Sequence, residues 1–101
     1  MEHVIYVFRD KFIEFMRKYS NEKVFKKVMK EVSKFNLNDP VSAVAFTMWA
    51  MQCIANYTGL MYGVGIYYRP LRECVKEGSA IVPPDIDFEE AEELHRLHNL
   101  A

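Results

Sequence analysis

Apolar residues recur at helical spacing through the first part of the chain. In residues 4–19 they fall on one face of a helix, at Ile5, Phe8, Phe12, Phe15, Met16 and Tyr19. The segment from Val4 to Phe8, taken alone, would also fit a strand, because β-branched and aromatic residues favour strands. The longer stripe has the period of an amphipathic helix and decides the prediction for helix.

A second amphipathic helix is predicted over about 22–35. Ser20 and Asn21 offer N-caps for it, since both side chains can accept a hydrogen bond from the first turn. Its apolar face is formed by Val24, Phe25, Val28, Met29, Val32 and Phe35. The opposite face is rich in lysine, so this helix should lie at the surface with one side buried.

A third helix, over about 40–57, differs from the first two. Asp39 followed by Pro40 is a strong start signal, with an N-cap and a proline at the first helical position. No charged residue occurs between Val41 and Tyr68, and a helix that is apolar all round is buried in a core or a membrane. Polar residues such as Gln52 interrupt the run, so we expect a buried central helix and consider a membrane span unlikely.

The path of residues 58–69 stays open at this point. Its three glycines, at positions 59, 63 and 65, could form a turn or allow close helix packing. Beyond it, Arg69 and Pro70 restart a helix that runs to about Glu77, and Gly78 has the place of a C-terminal stop.

A last helix is predicted to begin after Asp87, with Glu90 three residues on as in a capping box. The pattern as a whole predicts an all-α fold: a compact bundle of four or five helices around the buried helix at about 40–57. The length of 101 residues fits a single helical domain over residues 1–101.

Composition points to a soluble protein of a reducing compartment. The two cysteines, Cys53 and Cys74, lie far apart in apolar helical contexts, unlike the framework of a small secreted domain. The first residues contain no basic leader followed by a cleavage site, so we expect no signal peptide. We therefore predict a cytoplasmic location.

Charge is balanced globally and divided locally. The net charge is −1, yet residues 9–34 hold nine basic and four acidic side chains, whereas residues 77–98 hold seven acidic side chains and Arg96. The basic face of the second helix is formed by Lys23, Lys26, Lys27, Lys30 and Lys34. It is a solvated face that could dock on an acidic partner, or it contacts nucleic-acid phosphates, which would make binding strongly salt-dependent.

The chain offers little that carries catalysis. Glu92 and His95 form one Glu-x-x-His, and di-iron bundles need two such pairs. The two cysteines, twenty-one positions apart, do not have the close spacing of a structural zinc site. No phosphate-binding loop or dinucleotide fingerprint occurs. We predict no catalytic residue, no cofactor and no metal.

Aromatic residues are more numerous than one small core requires, and tyrosine and tryptophan are enriched at interfaces. The candidate interface residues are Trp49, Tyr62, Tyr67, Tyr68, His95 and His98. The leading hypothesis is a non-catalytic protein that acts through protein–protein association, as a homo-oligomer or as a subunit of a complex. The alternative is a nucleic-acid-binding helical subunit that uses the lysine face, and a metal-dependent enzyme ranks third.

Overall fold

Five helices form the described part of the chain. A computed structural model describes residues 2–58 and 70–100. In chain order the helices are α1 (Glu2–Tyr19), α2 (Glu22–Val32), α3 (Pro40–Thr58), α4 (Leu71–Glu77) and α5 (Phe88–Leu100). The predicted all-α bundle is confirmed. Of the stretch 58–69, whose path the sequence leaves open, Thr58 ends α3 and residues 59–69 lie outside the described residues.

The bundle is built around α1. Its buried face consists of Phe8, Phe12, Phe15 and Met16, all with no exposed surface, and α2, α3 and α5 each pack against it. Phe12 lies within 6.4 Å of Phe8, 6.0 Å of Phe46 and 5.6 Å of Trp49, measured between ring centroids. These aromatic contacts join α1 to α3 at the centre of the core.

The predicted helix at about 40–57 is present as α3, and it is buried on one face and exposed on the other. One face of α3 packs against α1 through Phe46, Ala50 and Ile54, which have no exposed surface. Its opposite face is exposed at Val41, Val44 and Met48. The exposed face of α3 is therefore apolar, although the core of the chain does not cover it. Among the described residues, no helix is long and apolar enough to cross a membrane.

Local signals determine where the helices begin. The Asn21 side chain accepts a hydrogen bond from the Val24 backbone N–H at 2.8 Å and caps α2. The Asp87 carboxylate accepts from the backbone N–H groups of Glu89 and Glu90, at 2.9 and 3.3 Å, and caps α5. Both N-cap predictions are confirmed.

The second half of the predicted capping box is wrong, because Glu90 is engaged elsewhere. Its carboxylate accepts hydrogen bonds from Lys18 at 2.9 Å and from the Tyr19 hydroxyl at 3.3 Å. The Asp87 backbone N–H, which Glu90 would have satisfied, donates instead to the Tyr19 hydroxyl oxygen at 3.1 Å. The Tyr19 hydroxyl therefore links the end of α1 to the start of α5.

Gly78 ends α4 as predicted. Its φ of +78° lies in the left-handed region, which L-residues other than glycine rarely adopt. The Gly78 backbone N–H donates to the Val75 carbonyl at 3.1 Å. The chain then turns towards α5, which packs against both α4 and α1.

Candidate interaction surface

The lysine face of α2 is exposed as the sequence predicts. Its members, all of them exposed, are Lys23, Lys26, Lys27, Lys30 and Lys34. Lys26 forms an ion pair with Glu22 at 3.6 Å, and Lys34 forms one with Glu31 at 2.9 Å. Both are neighbours on the same helix surface, where such pairs contribute little to stability.

The other three lysines of this face, Lys23, Lys27 and Lys30, form a stripe with the spacing i, i+4 and i+7. Within residues 2–58 and 70–100, none of the three has a carboxylate within ion-pair distance. Their charges are therefore available to an anionic partner.

The aromatic residues of α2 and of the turn after it point away from the lysine face. The Arg17 guanidinium lies over the Phe25 ring at 5.1 Å from its centroid. Phe35 packs on Phe46 and Trp49, at centroid distances of 5.5 and 5.4 Å. Neither ring is presented among the lysines, where stacking on a nucleic-acid base would require it.

An exposed apolar stripe runs along α3. Val41 is 78% exposed, Val44 57% and Met48 67%, and Met51 and Ala55 continue the stripe half-buried. The positions 41, 44, 48, 51 and 55 alternate steps of three and four, which is the spacing of a helix–helix seam. We call these five residues the α3 stripe.

A signal for the α3 stripe was present in the sequence. The three-four spacing is visible there, and so is the absence of charge from Val41 to Thr58. The absence of charge predicts a buried helix, whereas the structure shows two apolar faces, one against α1 and one exposed. Sequence alone does not tell which of two apolar faces its own chain covers.

A shallow cleft of about 70 Å³ lies between α2 and α3. Its lining residues are Lys27, Val28, Glu31, Trp49 and Cys53. Trp49, one of the predicted interface residues, is half-buried. Its ring forms one wall of this cleft and also packs on Phe12 in the core. Burial, and secondarily the Glu31 carboxylate, raises the pKa of the Cys53 thiol to about 11, which keeps it protonated and poorly nucleophilic at neutral pH.

The two histidines predicted at an interface lie at the core of their own chain. His95 is 1% exposed, so its assignment to a surface interface is wrong. His98 is half-buried, and the Phe8 ring meets its imidazole edge-to-face at 5.7 Å. Burial, followed by the neighbouring His95, lowers the pKa of His98, while a hydrogen bond with the Thr47 backbone opposes that shift.

Acidic residues of α5 are largely engaged by basic side chains. Arg72 of α4 lies 3.5 Å from the Glu89 carboxylate and 3.3 Å from that of Glu92. Arg96 forms an ion pair with Glu93 and thereby lowers the pKa of that carboxyl. The negative charge of α5 is thus partly neutralised by basic residues of the same chain.

Two further predictions concern the interface tyrosines and the binding of a metal. Tyr62, Tyr67 and Tyr68, the remaining candidate interface residues, lie outside the described residues. Across residues 2–58 and 70–100, no three side chains of histidine, cysteine, aspartate or glutamate are grouped closely enough to hold a metal ion. The Glu92 side chain of the Glu-x-x-His pair is held by Arg72 instead.

The surface of this chain therefore offers an uncharged apolar stripe on α3 and a basic stripe on α2, with a cleft between the two helices. No family model, curated protein or solved structure matches the chain.

Proposed function

We propose that this chain acts through protein–protein association and carries out no catalysis of its own, and that its α3 stripe pairs with the same stripe of a second copy. The observation that carries the proposal is the exposure of Val41, Val44 and Met48 on one side of a helix whose other side is already packed. Apolar side chains that line up along an exposed helix are typical of an interaction site.

The absence of charge supports a second copy as the partner. A two-fold interface brings the same patch of both copies together, so any charge on the patch meets its own kind. No charged residue occurs between Val41 and Thr58, and the exposed neighbours of the stripe, Ala45 and Gln52, are neutral. Pairing of α3 with α3 therefore brings no like charges together along the helix.

The apolar surface involved sets an upper limit on the strength of association. The exposed fractions of Val41, Val44 and Met48 amount to about two fully exposed side chains per copy. At roughly 1.5–3 kcal/mol for each buried side chain, two copies would gain about 6–12 kcal/mol. Association costs an estimated 4–15 kcal/mol. Even at the favourable ends of both ranges the net gain is about 8 kcal/mol, so the Kd should be no lower than about 1 µM, and the dimer should be sought between about 1 µM and about 1 mM.

Sedimentation velocity or light scattering over that concentration range tests the proposal. The weight-average mass of the wild-type chain should rise from 11.9 kDa towards twice that value. Val44→Glu should keep the chain monomeric, because a glutamate would be desolvated at the seam. Ile81→Glu is the matched control, since Ile81 is also 57% exposed and lies outside α3. A wild-type chain that stays monomeric throughout would overturn the proposal.

Nucleic-acid binding remains the competing hypothesis, and the exposure of all five lysines on α2 favours it. Three observations weigh against it: the face contains no arginine, its aromatic neighbours point into the core, and the net charge of the chain is −1. Domains that bind nucleic acid are commonly strongly basic. We propose a cytoplasmic location as part of the same hypothesis of association.

A further inference from the structure

We infer that the cleft between α2 and α3, with the lysines beside it, binds an acidic amphipathic segment of a partner protein. This second surface uses other residues than the α3 stripe and does not depend on self-association. The inference starts from the position of Lys27, which belongs both to the lysine face and to the lining of the cleft.

The cleft has an apolar floor and a charged rim. Val28, Trp49 and Cys53 supply the apolar surface, and Lys27 stands at the edge. Glu31 also lines the cleft, but Lys34 pairs with its carboxylate at 2.9 Å. Lys27 is therefore the lining residue whose charge is not matched within the described residues.

Lys23 and Lys30 extend that positive charge along the helix. Lys23, Lys27 and Lys30 stand at positions i, i+4 and i+7 of α2. At a rise of 1.5 Å per residue, the Cα atoms of these three lysines span about 10 Å along the helix. Carboxylates at the same spacing on a partner helix would lie opposite the three lysines. An apolar side chain next to those carboxylates would contact the floor of the cleft. The geometry thus fits a helix that carries glutamates on one side and leucine-like residues next to them.

An acidic peptide fits better than a nucleic acid because of the charge distribution. A short peptide meets only the local lysines, since charges further away than about 8–10 Å are screened at physiological salt. A long polyanion also meets the rest of the surface, and the chain as a whole has a net charge of −1. The shallow cleft also suits an aliphatic side chain, while stacking platforms for bases are not presented on this face.

Trp49 is the only tryptophan of the chain and forms a wall of the cleft. Its fluorescence therefore reports directly on occupation of the site. The probe is a synthetic helical peptide of about 14 residues with glutamates at i, i+4 and i+7 and leucines beside them. A second peptide has glutamine in place of each glutamate, and a short DNA duplex is the third ligand.

We expect a saturable change of Trp49 emission with the acidic peptide that weakens as NaCl is raised from about 0.05 to about 0.5 M. Lys23→Glu with Lys27→Glu should weaken binding by about tenfold or more, since two favourable charge pairs become repulsive. The matched control is Lys11→Glu with Lys76→Glu, which makes the same charge change at exposed sites on α1 and α4.

Four results would overturn the inference. The glutamine peptide could bind as tightly as the acidic one, both double variants could lose binding equally, or the DNA duplex could bind more tightly than the peptide. An absence of any saturable emission change with the acidic peptide would also overturn it. Val44→Glu should bind the peptide normally, so the failure of this site and the failure of α3 pairing are separate results.

Discussion

Replacing Phe12 by alanine should cost more stability than any single truncation on the exposed face of α3. Phe12 has no exposed surface, and its ring contacts those of Phe8, Phe46 and Trp49. The change removes a large side chain from the contact between α1 and α3. It therefore tests whether α1 occupies the centre of the bundle.

The magnitude follows from burial. Truncation of a buried phenylalanine costs about 3–5 kcal/mol, and the loss of aromatic pairing places Phe12→Ala towards the upper end of that range. In a domain of this size each kcal/mol lowers Tm by about 4–8 °C, so a fall of at least about 12 °C is expected. Met48→Ala, at a side chain 67% exposed, should change stability by no more than about 0.5 kcal/mol.

Urea unfolding followed by far-ultraviolet circular dichroism gives both values, measured at a concentration low enough to keep the chain monomeric. Total stabilities are commonly only 5–15 kcal/mol, so Phe12→Leu is the milder second variant if the alanine variant does not fold. A Met48→Ala chain that loses as much stability as the Phe12 variant would refute the arrangement, because α3 would then be buried on its outer face.

Three further predictions follow from contacts elsewhere. Tyr19→Phe should destabilise the chain by about 1–2 kcal/mol in urea unfolding, because the Asp87 backbone N–H loses its acceptor and the carboxylate of Glu90 loses a donor; an unchanged midpoint would contradict this. The lowered pKa of His98 means that the unfolded chain binds more protons, so stability should fall as pH drops below about 6.5, and His98→Gln should flatten that fall between pH 7.5 and 5.5. Cys53, with a pKa of about 11, should react with a thiol reagent at pH 7 at least ~100-fold more slowly in the folded chain than in urea; equal rates would argue against its burial.

Helix positions could be predicted because they depend on local chemistry. Asn21 caps α2 and Gly78 ends α4 where the sequence places them. These signals lie within a few residues of the helix ends, so no tertiary information is needed. The fold class follows from the same signals together with the apolar periodicity.

The arrangement of the helices could not be predicted in the same way. The absence of charge from residues 41–57 is compatible with burial on all sides and equally with two apolar faces of which one is exposed. Glu90 shows the same limit at one residue, since its capping geometry competes with Lys18 and Tyr19 of a distant helix. Which interaction forms depends on packing, and packing is a property of the whole chain.

The sequence predicts one part of the candidate surface, the lysine face, but not the position of the histidines. The lysine face of α2 follows from helical spacing, and it is exposed. The histidines of α5 were assigned to an interface because they lie on its apolar side, but α1 and α3 of the same chain approach that side, and His95 is buried there. An apolar position on a helix therefore does not tell whether the partner belongs to the same chain or to another.

A mixing experiment tests most directly whether α3 pairs with its own copy. One variant carries glutamate at Val44 and Met48, and the other carries lysine at the same two positions, which are 57% and 67% exposed in the chain. Each variant alone should sediment at the monomer mass, because like charges meet in the seam. An equimolar mixture should sediment towards twice that mass, since opposite charges then face each other across it. A mixture that remains monomeric, or either variant dimerising alone as the wild-type chain does, would contradict the pairing of α3 with α3.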